Sequence, residues 1–364
     1  MNIAIIGTRG IPNNHGGFEQ FAEHFSVYLA QKGHEVSVYN SHNHPFQDKD
    51  YKGVKILHCY DPEYKIGTAG QFVYDFNCII DSRQRHFDVI LQLGYTSSSI
   101  WYWMMPKESL IITNMDGMEW KRSKYSKKVR KFLKYAEKLV VKSSDFLISD
   151  SIGIQEYIKT KYNKDSEFIA YGATLFTTPN PEILSVYNVK EHDYCVIIAR
   201  LEPENNIETI VKGYDVSKTT YDLIIFGALN DYGKALQKKY AHNPHIRFMG
   251  ANYNQEHLNN LRYYSRYYFH GHSVGGTNPS LLEAMASNAL IVANDNVFNK
   301  SILETDAIYF ESHSDIERIL IDDKAFGNKP TFTDKNAMKI KKSYSWESIN
   351  AAYEDFILNC KKHP

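Results

Sequence analysis

Residues 1–21, MNIAIIGTRGIPNNHGGFEQF, open with a short apolar run at Ile3–Ile6. Glycine-containing turns follow the run, and the pair Gly16 and Gly17 precedes a helix that begins near Phe18. Glycines there let the backbone approach a ligand closely, and the free amides of a helix N-terminus favour an anion such as a phosphate. The spacing is not the GxGxxG of dinucleotide-binding proteins, so a tight turn without a ligand is an equally good interpretation.

This order of strand and helix repeats along the first half of the chain. Apolar helix faces with spacings of three and four run from Phe18 to Leu29 and from Tyr125 to Val140. The runs between such faces predict strands at Ile3–Ile6, Val36–Tyr39, Val54–His58, Val89–Leu93, Leu110–Asn114, Phe146–Ser149 and Phe168–Tyr171. The alternation is typical of a parallel sheet with helices on both faces.

The pattern stops at residues 177–182, TTPNPE, where two prolines disfavour both a helix and a central strand. It resumes with predicted strands at Cys195–Ala199, Leu223–Phe226, Ile246–Met249, Tyr267–Phe269, Leu290–Ala293 and Ile308–Phe310. The sequence therefore predicts an α/β protein with two doubly wound, Rossmann-like domains, residues 1–180 and 181–345, which face each other across a cleft. The last amphipathic stretch, Trp346–Leu358, could cover either domain.

Composition excludes several classes of protein. The 364 residues include 42 basic and 42 acidic side chains, so a general nucleic-acid binder is not expected. No apolar run reaches the length of a membrane span, and the first residues lack the basic region and long apolar core of a signal peptide. Four scattered cysteines without a CxxC pair argue against a zinc site or a disulfide framework and predict a reducing, cytoplasmic setting.

Charge is nevertheless concentrated in residues 121–142, which hold ten basic residues and one acidic residue, Glu137. A solvated helix face is the usual interpretation of such a segment. An anionic partner, either a lipid surface or a diphosphate-linked acceptor, is about as well supported in a chain without net charge. The basic residues that we assign to this contact are Lys121, Arg122, Lys127, Lys128 and Lys131.

The most informative segment is GHSVGGTNPSLLEAMA, residues 271–286. A turn rich in glycine and hydroxyl groups leads into a helix that begins near Pro279, a residue well suited to a first helical position. The backbone amides from Gly276 to Ser280 are predicted to point at an anion. Glu283 lies one turn further, where its carboxylate could accept hydrogen bonds from sugar hydroxyls; the alternative is an acidic residue that complements the helix dipole.

Two further segments carry candidate side chains. Arg200 follows a predicted strand, where its planar fork suits a diphosphate; an ion pair with Glu202 or Glu204 is an equal alternative. Asp116 and Glu119 lie in NMDGMEWKR, residues 114–122, and are candidates for acid–base work or substrate orientation. The alternative there is an ordinary Asp-Gly turn.

Together these segments resemble family 4 glycosyltransferases of the GT-B fold. The resemblance is closest to a subgroup of bacterial capsule, exopolysaccharide and O-antigen transferases that includes rhamnosyltransferases. It is carried by IIGTRGIP with GGFE near the N-terminus, DGMEWKR at 116–122, SDS at 149–151, FIAYG at 168–172, RLEPENN at 200–206, the 271–286 segment and SWESIN at 345–350. In the family, the last segment begins a helix that crosses back to the first domain, so the resemblance assigns residues 346–364 to that domain.

Three positions depart from the broad family. Its two glutamates stand eight residues apart, and Glu283 matches the second while Gly275 replaces the first. The family lysine five residues after the arginine is Asn205 here, and the frequent aspartate after TyrGly is Ala173. We expect His272, Thr277 and Asn278 to take over the missing donor contacts.

The resemblance implies a metal-independent, retaining glycosyltransferase without a cofactor, cytoplasmic and peripheral on the membrane. The second domain would bind a nucleotide-sugar donor, with dTDP-L-rhamnose as first choice and UDP- or GDP-sugars as alternatives. The first domain would bind a lipid-diphosphate-linked saccharide. Donor contacts are assigned to Gly16, Gly17, Arg200, Asn205, His272, Gly276, Thr277, Asn278, Ser280 and Glu283; acceptor contacts to Glu119 and the basic segment; and catalysis to Arg200, Asp116 and Glu283.

Two other classes of function stay open. A sugar-nucleotide epimerase with the same fold needs no acceptor, and a non-catalytic sugar-nucleotide-binding partner would fit the substitutions at Gly275 and Asn205. A nicotinamide oxidoreductase is disfavoured because no GxGxxG follows the first strand.

Overall fold

The computed structural model describes residues 1–14, 16–115, 117–121, 125–274 and 276–362. The chain divides into two compact units: the first holds Met1–Lys121, Tyr125–Tyr171 and Trp346–Pro364, and the second holds Gly172–Ser345. The division therefore lies a few residues before the predicted boundary at 180. The reason is local, because the amides of Ala173 and Phe176 donate to the carbonyls of Tyr344 (2.7 Å) and Ala286 (3.0 Å) within the second unit.

A largely parallel sheet forms the centre of the first unit. Its strands are β1 (Asn2–Ile6), β2 (Glu35–Ser41), β3 (Asp50–Tyr51), β4 (Val54–Cys59), β5 (Val89–Leu93), β6 (Leu110–Met115), β7 (Phe146–Ser149) and β8 (Glu167–Phe168). Their order across the sheet is β3-β4-β2-β1-β5-β6-β7-β8. Only the pairing of β3 with β4 is antiparallel among these described strands. The order changes direction between β1 and β5, as in a doubly wound fold.

Helices flank this sheet, and two of them lie along the apolar faces that were predicted from Phe18 to Leu29 and from Tyr125 to Val140. The helices are α1 (Gly17–Gln31), α2 (Glu63–Ile66), α3 (Gly70–Ser82), α4 (Lys127–Ser143) and α5 (Ile152–Tyr162), with short 3₁₀ turns at Gly67–Ala69, Ser99–Met104 and Glu119–Lys121. The apolar stripe of α1 is buried at Phe21, Phe25 and Leu29, as its spacing predicts. Helix α4 begins two residues after Tyr125, because the Ser126 side chain caps it by accepting from the amide of Val129.

The last helix, α13 (Trp346–Lys362), completes the first unit rather than the second. The ring of Tyr353 lies 4.5 Å from that of Phe21 and 5.3 Å from that of Phe25. Asn114 at the end of β6 donates to the Tyr353 hydroxyl over 2.5 Å. The core of this unit therefore needs aromatic side chains from the far end of the chain.

The second unit has a sheet whose described strands are all parallel. They are β9 (Tyr194–Ile198), β10 (Asp222–Phe226), β11 (Ile246–Gly250), β12 (Tyr267–His270), β13 (Ile291–Asn294) and β14 (Ile308–Phe310), in the order β11-β10-β9-β12-β13-β14. The helices are α6 (Ile207–Ser217), α7 (Asp231–Lys239), α8 (Gln255–Tyr263), α9 (Pro279–Ala286), α10 (Val297–Leu303), α11 (His313–Asp322) and α12 (Lys329–Lys339). Short 3₁₀ segments lie at Pro181–Tyr187, Pro203–Asn205 and Lys324–Asn328, and a π-helix at Ile340–Tyr344. Both units thus confirm the predicted fold class.

Two details of the first sheet differ from the sequence-based expectation. The predicted strand Phe168–Tyr171 is shorter and earlier, at Glu167–Phe168, and β3 was not predicted. None of the helices in the described part of the chain combines the length and apolar character needed to cross a bilayer.

Candidate functional site

In the second unit, strand order changes direction between β9 and its neighbour β12. Open α/β sheets bind ligands at the carboxyl ends of the strands beside such a switch point. Arg200 follows β9, and the loop from Gly271 to Asn278 follows β12. The topology therefore brings two of the motifs singled out in the sequence to one edge of one sheet.

Direct contacts hold these two loops together. A Cβ on Gly271 would lie 2.0 Å from the carbonyl oxygen of Asn205, so only glycine permits this approach. Asn206 donates through Nδ2 to the Gly271 carbonyl (2.8 Å), and Ser273 donates through its hydroxyl to the Glu204 carbonyl (2.7 Å). The glycine at 271 thus serves loop packing.

Arg200 is exposed at this edge. Among the described residues its guanidinium forms no hydrogen bond and no ion pair, so the alternative of a pair with Glu202 or Glu204 is not observed. A free guanidinium at a switch point is a group that an incoming diphosphate can engage with two parallel hydrogen bonds.

The side chain of Asn205, which was assigned to donor binding, is not exposed beside Arg200. It is buried, and Nδ2 donates to the carbonyl of Arg200 over 2.7 Å. This bond fixes the backbone that carries Arg200. The structure therefore gives Asn205 a supporting position rather than an exposed one, because the short amide turns back onto its own loop.

The N-terminus of α9 offers fewer amides than the sequence suggests. Asn278 caps the helix by accepting from the amide of Ser280 (2.9 Å), and Pro279 has no amide hydrogen. The prediction that all amides from Gly276 to Ser280 point at an anion therefore needs correction. Within the described residues, the amides of Gly276 and Asn278 are left without an intramolecular partner.

The hydroxyl of Ser280 is also engaged inside the protein. It shares a hydrogen bond with the Tyr268 hydroxyl (2.7 Å) and donates to the carbonyl of Ile198 (3.2 Å). Thr277 is buried. The half-buried side chains that this leaves among the predicted donor-binding residues of the segment are those of His272, Asn278 and Glu283.

Glu283 is held by a residue that the sequence did not identify. Arg262, at the end of α8, donates through Nη2 to Oε2 of Glu283 over 2.6 Å. The side chain of Arg262 is only 1% exposed, whereas that of Glu283 is 18% exposed. The carboxylate is thus fixed from the protein side and open on the other, so more than the helix dipole accounts for its position.

Two histidines stack at the end of β12. The rings of His270 and His272 lie 4.8 Å apart and within 12° of parallel. Burial, together with the positive charge of Arg262, lowers the pKa of His270 to about 3, so the buried imidazole is neutral at physiological pH. The carbonyl of His272 accepts from Asn296 (2.9 Å) and Asn299 (3.0 Å), which fixes the predicted donor residue His272 at this edge.

In the first unit, the loop after β1 is held by carboxylates. The amide of Arg9 donates to Glu19 (2.9 Å), and the Arg9 guanidinium forms a bidentate pair with Glu63 (2.8 and 2.9 Å). Gly16 caps α1 with extended backbone, and Gly17 is its first residue. Their assignment to donor binding stays a prediction, and the Glu19 carboxylate already lies beside this helix start.

The basic segment forms α4 with its charges outward. Six exposed lysines follow this face, and none pairs with a described carboxylate: Lys127, Lys128, Lys131, Lys134, Lys138 and Lys142. Glu137 points inward and is 2% exposed. It accepts from the side chains of Trp120 (3.0 Å), Tyr157 (2.7 Å), Tyr162 (2.6 Å) and Lys161 (2.8 Å). The only acid of the segment therefore does not offset the exposed charge.

Exposed aromatic side chains accompany this basic face. The 3₁₀ turn Ser99–Met104 packs against α4, and its Trp103 is 63% exposed. Tyr135 on α4 is also exposed. Lys121 is exposed and extends over the ring of Trp120, whereas Glu119 is buried and accepts from the Tyr125 hydroxyl at 3.5 Å.

Three predicted positions, Asp116, Arg122 and Gly275, lie outside the described residues. Among those described, no group of three or more His, Cys, Asp and Glu side chains could hold a metal ion. Metal independence itself stays a prediction.

Known proteins resemble this chain in fold far more than in sequence. The family described as "Domain of unknown function (DUF1972)" matches residues 1–174. No curated protein matches the chain.

Three solved structures superpose over nearly their whole length. Sucrose-phosphate synthase from Thermosynechococcus elongatus is 15% identical with a TM-score of 0.80, and the match covers 98% of both chains. HepE from Anabaena, in complex with UDP and glucose, is 12% identical with a TM-score of 0.75, over 98% of this chain and 99% of that one. The α,α-trehalose 6-phosphate synthase from Burkholderia multivorans is 10% identical with a TM-score of 0.70, over 99% and 98%. The chain thus has the GT-B fold, as predicted.

Proposed function

We propose that this protein is a retaining glycosyltransferase that uses a nucleotide-diphosphate sugar. The observation that carries the proposal is the exposed guanidinium of Arg200, which has no partner among the described residues, beside the glycine-rich loop at the switch point of the second unit. A ligand with a diphosphate would meet Arg200, and its ribose hydroxyls would meet the open side of Glu283. Solved structures with the same fold include HepE bound to UDP-glucose, which supports a nucleotide-sugar donor.

In this reaction the anomeric carbon of the sugar exchanges its bond to a phosphate oxygen for a bond to the acceptor oxygen. The acceptor hydroxyl gives up its proton to the departing phosphate oxygen, and a nucleoside diphosphate leaves. Negative charge grows on the departing β-phosphate, and a cation with backbone amides beside it stabilises that charge. Arg200 supplies that cation, and the amides of Gly276 and Asn278 add hydrogen bonds.

Our first choice of donor is dTDP-L-rhamnose, on the resemblance of the sequence to rhamnosyltransferases. The acceptor is a lipid-diphosphate-linked saccharide bound by the first unit, where Asp116 orients its hydroxyl. The reaction needs no metal, and the enzyme works in the cytoplasm, in the synthesis of a bacterial surface polysaccharide such as capsule or O-antigen. A UDP- or GDP-sugar is the alternative donor.

Binding and turnover test this proposal together. We expect dTDP to raise the melting temperature of the protein, because a ligand that binds only the folded state stabilises it by mass action. UDP and GDP are titrated beside it, and UDP binding about tenfold tighter than dTDP would replace rhamnose by a UDP-sugar. Each sugar nucleotide is then incubated with and without a synthetic lipid diphosphate that carries one sugar. Epimerisation without acceptor would favour the epimerase, binding without turnover the non-catalytic partner, and activity lost in EDTA and restored by Mg²⁺ would contradict metal independence.

We further propose that α4 holds the protein against an anionic lipid surface. Six exposed lysines provide the attraction, and Trp103 with Tyr135 provides aromatic rings suited to the interface. No part of this contact requires a membrane-spanning segment.

The triple variant Lys127→Glu, Lys128→Glu, Lys131→Glu is expected to lose binding to liposomes that contain phosphatidylglycerol. Wild-type binding should weaken as salt rises, since exposed charges are screened beyond about 8 Å at physiological ionic strength. Co-sedimentation measures both effects. The matched control reverses the exposed lysines Lys234, Lys341 and Lys342 of the second unit and should bind like wild type. Binding that resists both salt and the α4 reversals would assign the contact to Trp103 and its aromatic neighbours instead.

A further inference from the structure

Buried arginines are rare because a charge loses its hydration on leaving water, so each one needs a structural explanation. Arg262 is the most buried cation of the second unit's described ion pairs. Its Nη1 donates to the Asn259 side chain (3.1 Å), and its Nη2 reaches both Ser280 (3.3 Å) and Glu283 (2.6 Å). The guanidinium also lies 5.9 Å from the centre of the Tyr268 ring.

These contacts fix the fork in one orientation from two sides. Asn259 lies one turn before Arg262 on α8, and Tyr268 lies on β12, so two elements of the fold define where Nη2 points. The Ser280 hydroxyl is itself held by Tyr268 and by the carbonyl of Ile198. The network therefore positions Nη2 rigidly at the first turn of α9.

We propose that Arg262 is a positioning residue for ribose recognition: it holds Oε2 of Glu283 so that Oε1 faces the nucleotide. Oε1 has no hydrogen bond among the described residues, whereas Oε2 is occupied by Nη2. A carboxylate fixed through one oxygen presents the other without the loss of side-chain freedom that a mobile glutamate would suffer on binding. Arg262 would thus control the direction of the Glu283 carboxylate while never touching the ligand itself. The inference rests on the proposed function, in which Glu283 accepts from a sugar hydroxyl.

The test compares each nucleoside diphosphate with its analogue that lacks the ribose hydroxyls. For the wild type we expect 2′,3′-dideoxyuridine diphosphate to bind about tenfold more weakly than UDP, because it cannot form the hydrogen bond to the charged Glu283 carboxylate. The corresponding pair of thymidine nucleotides is measured in parallel. In Arg262→Met this ratio should fall close to one, as in Glu283→Gln. Arg262→Lys keeps the charge but loses the fork, so its ratio should lie between those of Arg262→Met and the wild type.

Arg266→Met is the matched control, since Arg266 is another arginine of this unit with low exposure and a carboxylate partner, Asp323. It should lower the melting temperature yet keep the wild-type ratio, because a structural role alone weakens both nucleotides equally. An Arg262→Met protein that keeps the wild-type ratio would overturn the inference. Should Arg262→Met not fold, an unchanged ratio in Arg262→Lys overturns it equally. A wild-type protein that binds none of the nucleoside diphosphates would instead refute the proposed function.

Discussion

Replacement of Arg200 by alanine is expected to lower the rate of sugar transfer about tenfold or more, which corresponds to at least about 1.4 kcal/mol of transition-state stabilisation. The guanidinium is exposed and unpaired within the described structure, so its removal breaks no internal contact and folding should be unchanged. The loss should be larger in kcat than in the affinity for the donor, because charge on the leaving diphosphate grows only as the glycosidic bond breaks.

The control for this experiment is Arg318→Ala. Arg318 is likewise exposed and lies in the second unit, but on α11, where it pairs with Asp315. Its variant should transfer sugar at the wild-type rate. Rates are measured with the sugar nucleotide that stabilises the protein and the synthetic lipid-diphosphate acceptor. A folded Arg200→Ala enzyme with normal turnover would show that the diphosphate is bound by another group.

Replacement of Asp75 by asparagine is expected to stabilise the protein at pH 8 and to have little effect at pH 4. Asp75 lies on α3, is 7% exposed and accepts from the Ser97 hydroxyl over 2.6 Å. Burial is the main cause that raises the pKa of Asp75 from its ordinary 3.8 to about 7; the Ser97 hydrogen bond and Arg9 oppose this net shift, and the charge of Asp61 adds to it. The neutral acid is therefore the form that the fold accommodates.

The direction of the pH effect follows from proton binding. Between pH 3.8 and about pH 7 the folded chain keeps a proton that the unfolded chain releases, so stability falls as pH rises through this window. The full difference is roughly 4 kcal/mol, at about 1.4 kcal/mol for each pKa unit. Asparagine stays neutral and still accepts from Ser97, so it removes this loss.

The measurement is the difference between the melting temperatures of the variant and the wild type, taken from pH 4 to pH 8. That difference should grow with pH by several degrees, the size expected for a domain of this length (roughly 2–4 °C per kcal/mol). Asp165→Asn is the control, since Asp165 is exposed and paired with Lys159. A difference that is constant with pH would mean that Asp75 is ionised in the folded protein.

Much of this fold follows from patterns of a few residues. The interior strands consist of apolar, β-branched runs such as Ile3–Ile6 and Leu223–Phe226, and all are found at the predicted places. Strand β3 carries no such pattern, since it is only Asp50 and Tyr51. It exists because Lys52 and Gly53 both adopt positive φ and turn the chain back onto β4, a conformation that the two residue names do not specify.

The candidate site was harder to foresee than the fold. Arg200 became a candidate through its position at a strand end, and Glu283 through its position near a helix start, because both positions depend on local order along the chain. Arg262 and Arg266 stand four residues apart in one polar and aromatic stretch, LRYYSRYYF, without a signal that distinguishes them. Their partners are 21 and 57 residues distant, so only the folded chain shows which one holds Glu283.

Helix α13 has a consequence for how the protein is made. A ribosome delivers the strands of the first unit early, yet the rings of Trp346 and Tyr353 that cover Phe21 arrive only after the whole second unit has been synthesised. Domains usually fold as units, beginning with the one that emerges first. Here the second unit can fold first, while the apolar surface around Phe21 and Phe25 stays uncovered. We therefore expect a chaperone to bind the N-terminal segment around Phe21 and Phe25 for longer than any later segment of the nascent chain.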